Sequence, residues 1–208
     1  MPRRTKEEAA QTRESLLIAA RSVFSRKGYA STTLEEIAEE AGVTRGAIYW
    51  HFGSKAELYV TLLNEFSGKS ARIVQGAAAE GGSMVQILRR IFERLLQAVA
   101  DDPGLKEVIE ISLFKTERSD ELVEALQHRR QSNLALLDGI AQAMQQGIDA
   151  GELRPDVEPH DMARAFLAAQ NGVIQLWLED PTQFSLKDSA RAFAELFING
   201  VAIRSGDG

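Results

Sequence analysis

The sequence contains no cysteine and only three histidines in 208 residues. The first absence excludes disulfides, thiol redox sensing and cysteine-ligated metal. His51, His128 and His160 lie far apart in the chain and lack metal-pair spacing, so no metal and no cofactor is expected. Long apolar runs are missing too: no window approaches the roughly eighteen residues of a membrane span. The opening stretch, MPRRTKEEAAQTR, is basic and polar with no apolar run behind it. It does not read as a secretory signal, and a cytoplasmic protein is expected. Phosphate-cradling glycine motifs and a nucleophile elbow are absent. Asp101-Asp102 stands before Pro103 as a helix exit rather than an acid–base pair. An enzyme is therefore not expected. Strand alternation, heptads and internal repeats are also lacking, which leaves an all-α reading. The length allows one or two domains with a real core.

What the chain does have is concentrated in residues 32–52, TTLEEIAEEAGVTRGAIYWHF. Thr33 and Glu36 form a capping-box pair, and Leu34, Ile37, Ala38 and Ala41 follow at helical spacing. Gly42 stands where a helix stops and the chain turns sharply. Val43 fills the space between the helices, and Thr44 suits the cap of a second helix that buries Ala47, Ile48 and Phe52. That is helix-turn-helix patterning, whose second helix lies in a DNA major groove. Its outward side offers Thr44, Arg45, Gly46, Tyr49, Trp50 and His51. Gly46 and Ala47 are small enough for the backbone to approach a duplex. The alternative is a hairpin that never touches DNA, with Tyr49, Trp50 and Phe52 as core.

Charge argues against a broad positive field. The net charge is −6, with 24 Lys and Arg against 30 Asp and Glu. Residues 1–60 carry nine basic and eight acidic side chains, or +1, and the remainder fifteen and twenty-two, or −7. Glu35, Glu36, Glu39 and Glu40 crowd one helix, so any DNA affinity must come from a few placed cations and helix N-termini. Residues 1–6 read as an arm, with Arg3, Arg4 and Lys6 free for phosphates or a minor groove, or as an ordinary loose terminus. Arg13 is a phosphate contact or a solvated charge. Ser54 and Glu57 make a second capping box, and Lys55 in that first turn forms a natural phosphate site. Thr33, at the start of the first hairpin helix, is a further contact candidate.

The run TTLEEIAEEAGVTRGAIYWHFGSKAELY closely resembles the DNA-binding signature of the TetR (tetracycline-repressor) family, and the likeness covers about the first 65 residues. The resemblance implies a DNA-binding, all-helical homodimer whose second domain binds a small molecule and thereby releases an operator. The expected architecture has about nine helices. A three-helix helix-turn-helix domain (residues 1–53) is joined by helix 4 to a helical ligand-binding and dimerisation domain (residues 54–208). Helix 4 would carry the signal.

Beyond the first helix, expected over residues 6–27, apolar spacing places helices at about 84–101, 103–115, 120–150, 159–180 and 186–204. Met84, Leu88, Ile91, Phe92, Leu95 and Val99 point inward on the first of these. Leu122, Leu126, Leu134, Leu137, Ile140, Met144 and Ile148 do so on the long one, where Gly139 and Gly147 bend the helix or admit close packing. Arg129 and Arg130, beside His128, read as a solvated or dimer-edge face. The last two helices are apolar on two sides, so one side packs at home and the other awaits a partner. A subunit interface through Met162, Phe166, Val173, Phe193, Leu196, Phe197 and Ile203 is the expectation; the alternative is a helix merely central in a monomer.

VIEISLFK (108–115) and NGVIQLWLEDPTQFSL (171–186) are similar to the multidrug-efflux-pump repressors within that family. This implies an effector pocket for hydrophobic or aromatic compounds. The candidate lining is Phe66, Leu88, Phe92, Ile109, Leu113, Phe114, Leu137, Leu167, Gln170, Asn171, Ile174 and Trp177. Ile109 and Leu113 stand where such repressors place Asn and His, so effector identity does not carry over. Gln170 and Asn171 either orient a ligand in an apolar pocket or are satisfied interfacial amides. Against the regulator stands one other class, a helical binding or scaffold protein with no DNA role.

Overall fold

α1 (Lys6–Lys27) forms because its apolar residues recur at helical spacing: Leu16, Leu17, Ala20, Val23 and Phe24 are all buried. Glu7 and Glu8 open it and Arg26 and Lys27 close it, matching the helix dipole at each end. The protein, here a computed structural model, is described for residues 6–117 and 120–203, apart from the side chain of His128. Within that range nine helices follow α1: α2 (Leu34–Glu40), α3 (Arg45–Phe52), α4 (Lys55–Ala79), α5 (Met84–Asp101), α6 (Pro103–Phe114), α7 (Asp120–Ala125), α8 (Gln127–Asp149), α9 (Pro159–Glu179) and α10 (Leu186–Val201). None is long and apolar enough to cross a membrane.

The helices fall into two compact units. One takes the chain up to Ser67 together with Gly104–Arg129; the other takes Gly68–Pro103 and the chain from Arg130. In the first, Leu34, Ile37 and Ala38 of α2 and Ile48 and Phe52 of α3 close over α1, and Leu58, Tyr59, Leu62 and Leu63 of α4 complete the packing. Val108 and Ile111 of α6 and Leu122 of α7 enter the same core. Fully burying a side chain such as Phe24, Ile37 or Ile48 contributes about 1.5–3 kcal/mol. Gly42, at φ 66°, makes the α2–α3 turn in a conformation a Cβ would strain.

In the second unit α10 lies along α5, and α9 packs against both. Phe92, Phe166 and Phe197 form its centre, with ring centroids 5.3–6.0 Å apart. Gly147 serves close packing, as expected: a Cβ there would sit 2.7 Å from Leu153 Cδ1. Gly139 has nothing within 4 Å and admits no such contact.

Four expectations need correction. The helix expected over residues 120–150 is two, broken at Leu126; the apolar pattern lapses across residues 127–133, and periodicity says nothing there. Leu134, expected inward, is 62% exposed. On α5 the fully buried residue is Leu96, one position beyond the expected Leu95, which is half-buried. α10 stops at Val201 because Ala202 leaves the helix to pair with Leu153. There Arg154 N–H donates to Val201 O at 2.9 Å, and Ile203 N–H donates to Glu152 O at 3.1 Å.

Candidate nucleic-acid interface

The capping box at α2 is complete. Glu36 N–H donates to Thr33 Oγ1 at 3.3 Å, and Thr33 N–H returns a bond to Glu36 Oε2 at 3.0 Å. The Lys27 ammonium also bonds the Glu36 carboxylate. Hydrogen bonding from Lys27, then from the Thr33 backbone, holds Glu36 down at about 2. Arg26 grips Glu40 with both terminal nitrogens, at 2.8 and 3.1 Å. Two of the four crowded carboxylates are therefore held by the end of α1.

α3 is anchored on one side and open on the other. Ile48 and Phe52 are buried and Ala47 is half-buried. Thr44, Arg45 and Gly46 are exposed, as are Tyr49 (46%) and Trp50 (73%). Thr44 takes the cap position but makes no side-chain cap bond. The Arg45 guanidinium lies 5.2 Å from the centre of the Tyr49 ring, donates to its hydroxyl at 2.5 Å, and pairs with Glu35 of α2. His51 is half-buried and edge-on to Trp50, centroids 4.4 Å apart. The reading of Tyr49 and Trp50 as core is thereby excluded.

Lys55 departs from expectation. Its ammonium donates to the carbonyls of Tyr29 and Thr32, each at 2.9 Å, and more weakly to Ala30 at 3.4 Å. Burial pushes its pKa down. The side chain clamps the α1–α2 connection, a role the sequence does not announce. Ser54 Oγ accepts from Glu57 N–H at 3.1 Å, so the start of α4 is capped. Thr33, Arg45, Tyr49, Ser54 and Lys55 line an open cleft of about 320 Å³ where the N-terminal ends of α2, α3 and α4 converge, with Glu35 and Glu121 also on its wall. Helix N-termini present unpaired N–H groups to anions, which suits a phosphate oxygen. Arg13 is taken by Glu65 at 3.7 Å and lies 5.3 Å over Phe52. Arg3 and Arg4 lie outside the described residues.

α6 ends on this same unit. Tyr29 N–H donates to Lys115 O at 2.8 Å, Lys115 Nζ donates to Ser25 O at 2.8 Å, and the Tyr59 and Thr116 hydroxyls bond at 2.8 Å. Sequence reasoning missed this junction.

Two family models match the chain: "Bacterial regulatory proteins, tetR family" over residues 16–62 and "MAATS-type transcriptional repressor, C-terminal region" over residues 83–202. The chain belongs to the TetR family. A relative in Pseudomonas putida, the HTH-type transcriptional regulator TtgR, is 36% identical over 191 residues, 89% of each chain. NalD, the secondary repressor of the MexAB-OprM multidrug efflux pump in Pseudomonas aeruginosa, superposes with a TM-score of 0.80 at 28% identity, covering 95% of this chain and 98% of NalD. SmeT of Stenotrophomonas maltophilia, solved as a triclosan complex, gives 0.79 at 27% identity and covers 94% of this chain and 93% of its own.

The remaining candidates of this TetR-family chain are distributed as follows. Of the effector candidates, Phe66, Ile109, Leu113 and Phe114 belong to the first unit and the rest to the second. Leu88, Phe92, Gln170, Ile174 and Trp177 are buried, Leu137 and Leu167 half-buried, and Asn171 exposed. Of the interface candidates, Met162 and Phe166 are buried in their own subunit, because the largest side chains of α9 fill its own core. Val173, Phe193 and Phe197 are half-buried, the last stacked on Phe92. Leu196 and Ile203 are exposed, as is Leu176, which was not expected; Ala165, Ala168 and Ala192 are exposed too. Small residues on a helix face give no stripe, so that side of α9 was not legible. Arg129 is half-buried rather than free: it reaches Ser67 Oγ at 3.1 Å and Asn64 Oδ1 at 3.4 Å. Among the described residues no group of three His, Asp or Glu is placed to hold a metal.

Proposed function

We propose that this TetR-family regulator is a repressor that binds a palindromic operator as a homodimer. A small hydrophobic or aromatic compound binds the helical domain and releases it. The observation that carries this reading is the outward face of α3, where Arg45, Tyr49 and Trp50 stand exposed on a helix locked into the core through Ile48 and Phe52. Exposed rings and a guanidinium at the turn of a helix-turn-helix serve base-edge and phosphate contacts. Residues 1–53 do this work, and residues 54–208 bind effector and partner. The arm, through Arg3 and Arg4, adds a backbone or minor-groove contact.

Pairing runs through the exposed Leu176, Leu196 and Ile203 with the small residues beside them. A two-fold pair sets its recognition helices about 34–36 Å apart, one turn of DNA or a multiple of it. The regulated gene encodes a multidrug efflux system or a related function, a reading supported by the pump that NalD represses and the triclosan bound to SmeT. α4 transmits the signal, since its residues up to Ser67 belong to one unit and those from Gly68 to the other. Coupling of about 1–3 kcal/mol is enough to shift occupancy five- to 150-fold. The protein acts in the cytoplasm, where the DNA is. A mobility-shift assay with the DNA upstream of its own gene tests the proposal: a salt-sensitive shift that resists competitor DNA supports it, and its absence refutes it.

A further inference from the structure

We infer that Gln170 is the polar anchor of the effector site. The compounds it selects carry a hydrogen-bond acceptor, a carbonyl or phenolic oxygen, on an otherwise apolar aromatic frame. The inference rests on the effector-binding role proposed above and adds the chemistry of the ligand.

Gln170 lies in the middle of α9 and is only 5% exposed. Its Nε2 is buried and meets no acceptor among the described residues. Buried amide groups are almost always hydrogen-bonded, and an orphaned donor weakens a fold unless some state of the molecule satisfies it. Its own helix face cannot do so. One turn before it stands Phe166, one turn after it Ile174, and two turns after it Trp177, all buried and none carrying an acceptor oxygen. Phe166 is held edge-on by Phe92 at 5.6 Å and by Phe197 at 5.3 Å. Along its own helix the donor thus has only aromatic and aliphatic side chains above and below it.

That combination has a chemical reading. Apolar walls accept many hydrophobic shapes, whereas a hydrocarbon bound there leaves Nε2 unpaired and a carbonyl oxygen does not. Sites with a hydrogen-bonding group discriminate against analogues lacking the matching atom more strongly than apolar walls discriminate by size. Asn171, the neighbouring amide, is exposed. The two amides expected to act together are separated, and the anchor is Gln170 alone.

The test uses the full-length protein and two probes of one frame, benzophenone and diphenylmethane, titrated calorimetrically into wild type, Gln170→Leu and the shape-matched Gln170→Met. Wild type is expected to bind benzophenone about tenfold more tightly, or 1.4 kcal/mol. Both variants are expected to lose that preference and to bind diphenylmethane at least as well as wild type. Equal binding of the two probes by wild type, as a bridging water at Nε2 would give, overturns the inference. So does a preference that survives in a folded Gln170→Met. If neither probe binds any of the three proteins, the effector-site reading itself fails, and the anchor with it.

Discussion

The Lys55 ammonium sits 4.5 Å from the centre of the Tyr29 ring and donates to the carbonyl of that same residue at 2.9 Å. One cation thus fixes the connection between α1 and α2 through a ring face and three carbonyls. Lys55→Met is expected to lower stability by about 1.5–3 kcal/mol, the range for hydrogen bonds to charged groups. Thermal or denaturant unfolding measures it. The salt dependence of DNA affinity separates the two roles of this lysine: a clamp leaves the slope unchanged, whereas a lost phosphate contact reduces it by about one.

Arg45 and Tyr49 hold each other through a 2.5 Å hydrogen bond and a guanidinium–ring stack. Arg45→Ala and Tyr49→Ala are each expected to cost about 1–3 kcal/mol of operator affinity, with relaxed preference at one base pair per half-site. Fluorescence anisotropy with singly substituted duplexes reads both effects. Affinity equal to the parent in both variants would mean that the contact surface is elsewhere.

Glu36 gives the protein a defined acid sensitivity. Its carboxyl lies near 2 in the fold instead of its ordinary 4.5, through bonds to Lys27 and the Thr33 backbone. A depressed carboxyl contributes stability that is complete above pH 4.5 and lost as pH falls towards 2. Glu36→Gln is therefore expected to melt below wild type at pH 7, with the gap narrowing steadily under pH 4.5. A gap independent of pH would show that the charge is not what matters.

Leu196 is 72% exposed on α10 while Phe166 is buried on α9. Leu196→Glu is expected to leave the fold intact and shift the protein to monomers in light scattering, with operator binding lost. Phe166→Ala is expected to cost about 3–5 kcal/mol of folding stability by opening the aromatic centre. A dimeric Leu196→Glu would move the interface to another face.

Much of this was legible in the sequence, and the exceptions share a cause. α1 and α5 lie where the sequence puts them, because their apolar spacing is unbroken and Gly28, Ser83 and Pro103 punctuate them. The hairpin core of Leu34, Ile37, Ile48 and Phe52 followed from the same periodicity. Periodicity reports that a face is covered, never by what. Hence Met162 and Phe166 read as partner-facing in the sequence, although their own subunit buries them. Val108, Ile111 and Leu122 give no sign that they join the core of α1–α4, since their partners lie far away in the chain. The Lys55 clamp has no sequence signal either, because the carbonyls it holds belong to a loop more than twenty positions away.

Footprinting on the DNA upstream of the gene tests the central claim most directly. The account predicts two hydroxyl-radical-protected patches on one side of the duplex, centred about one helical turn or a multiple apart. A folded, dimeric Tyr49→Ala/Trp50→Ala double variant should erase both. Unprotected DNA, or protection that survives the double variant, would contradict it.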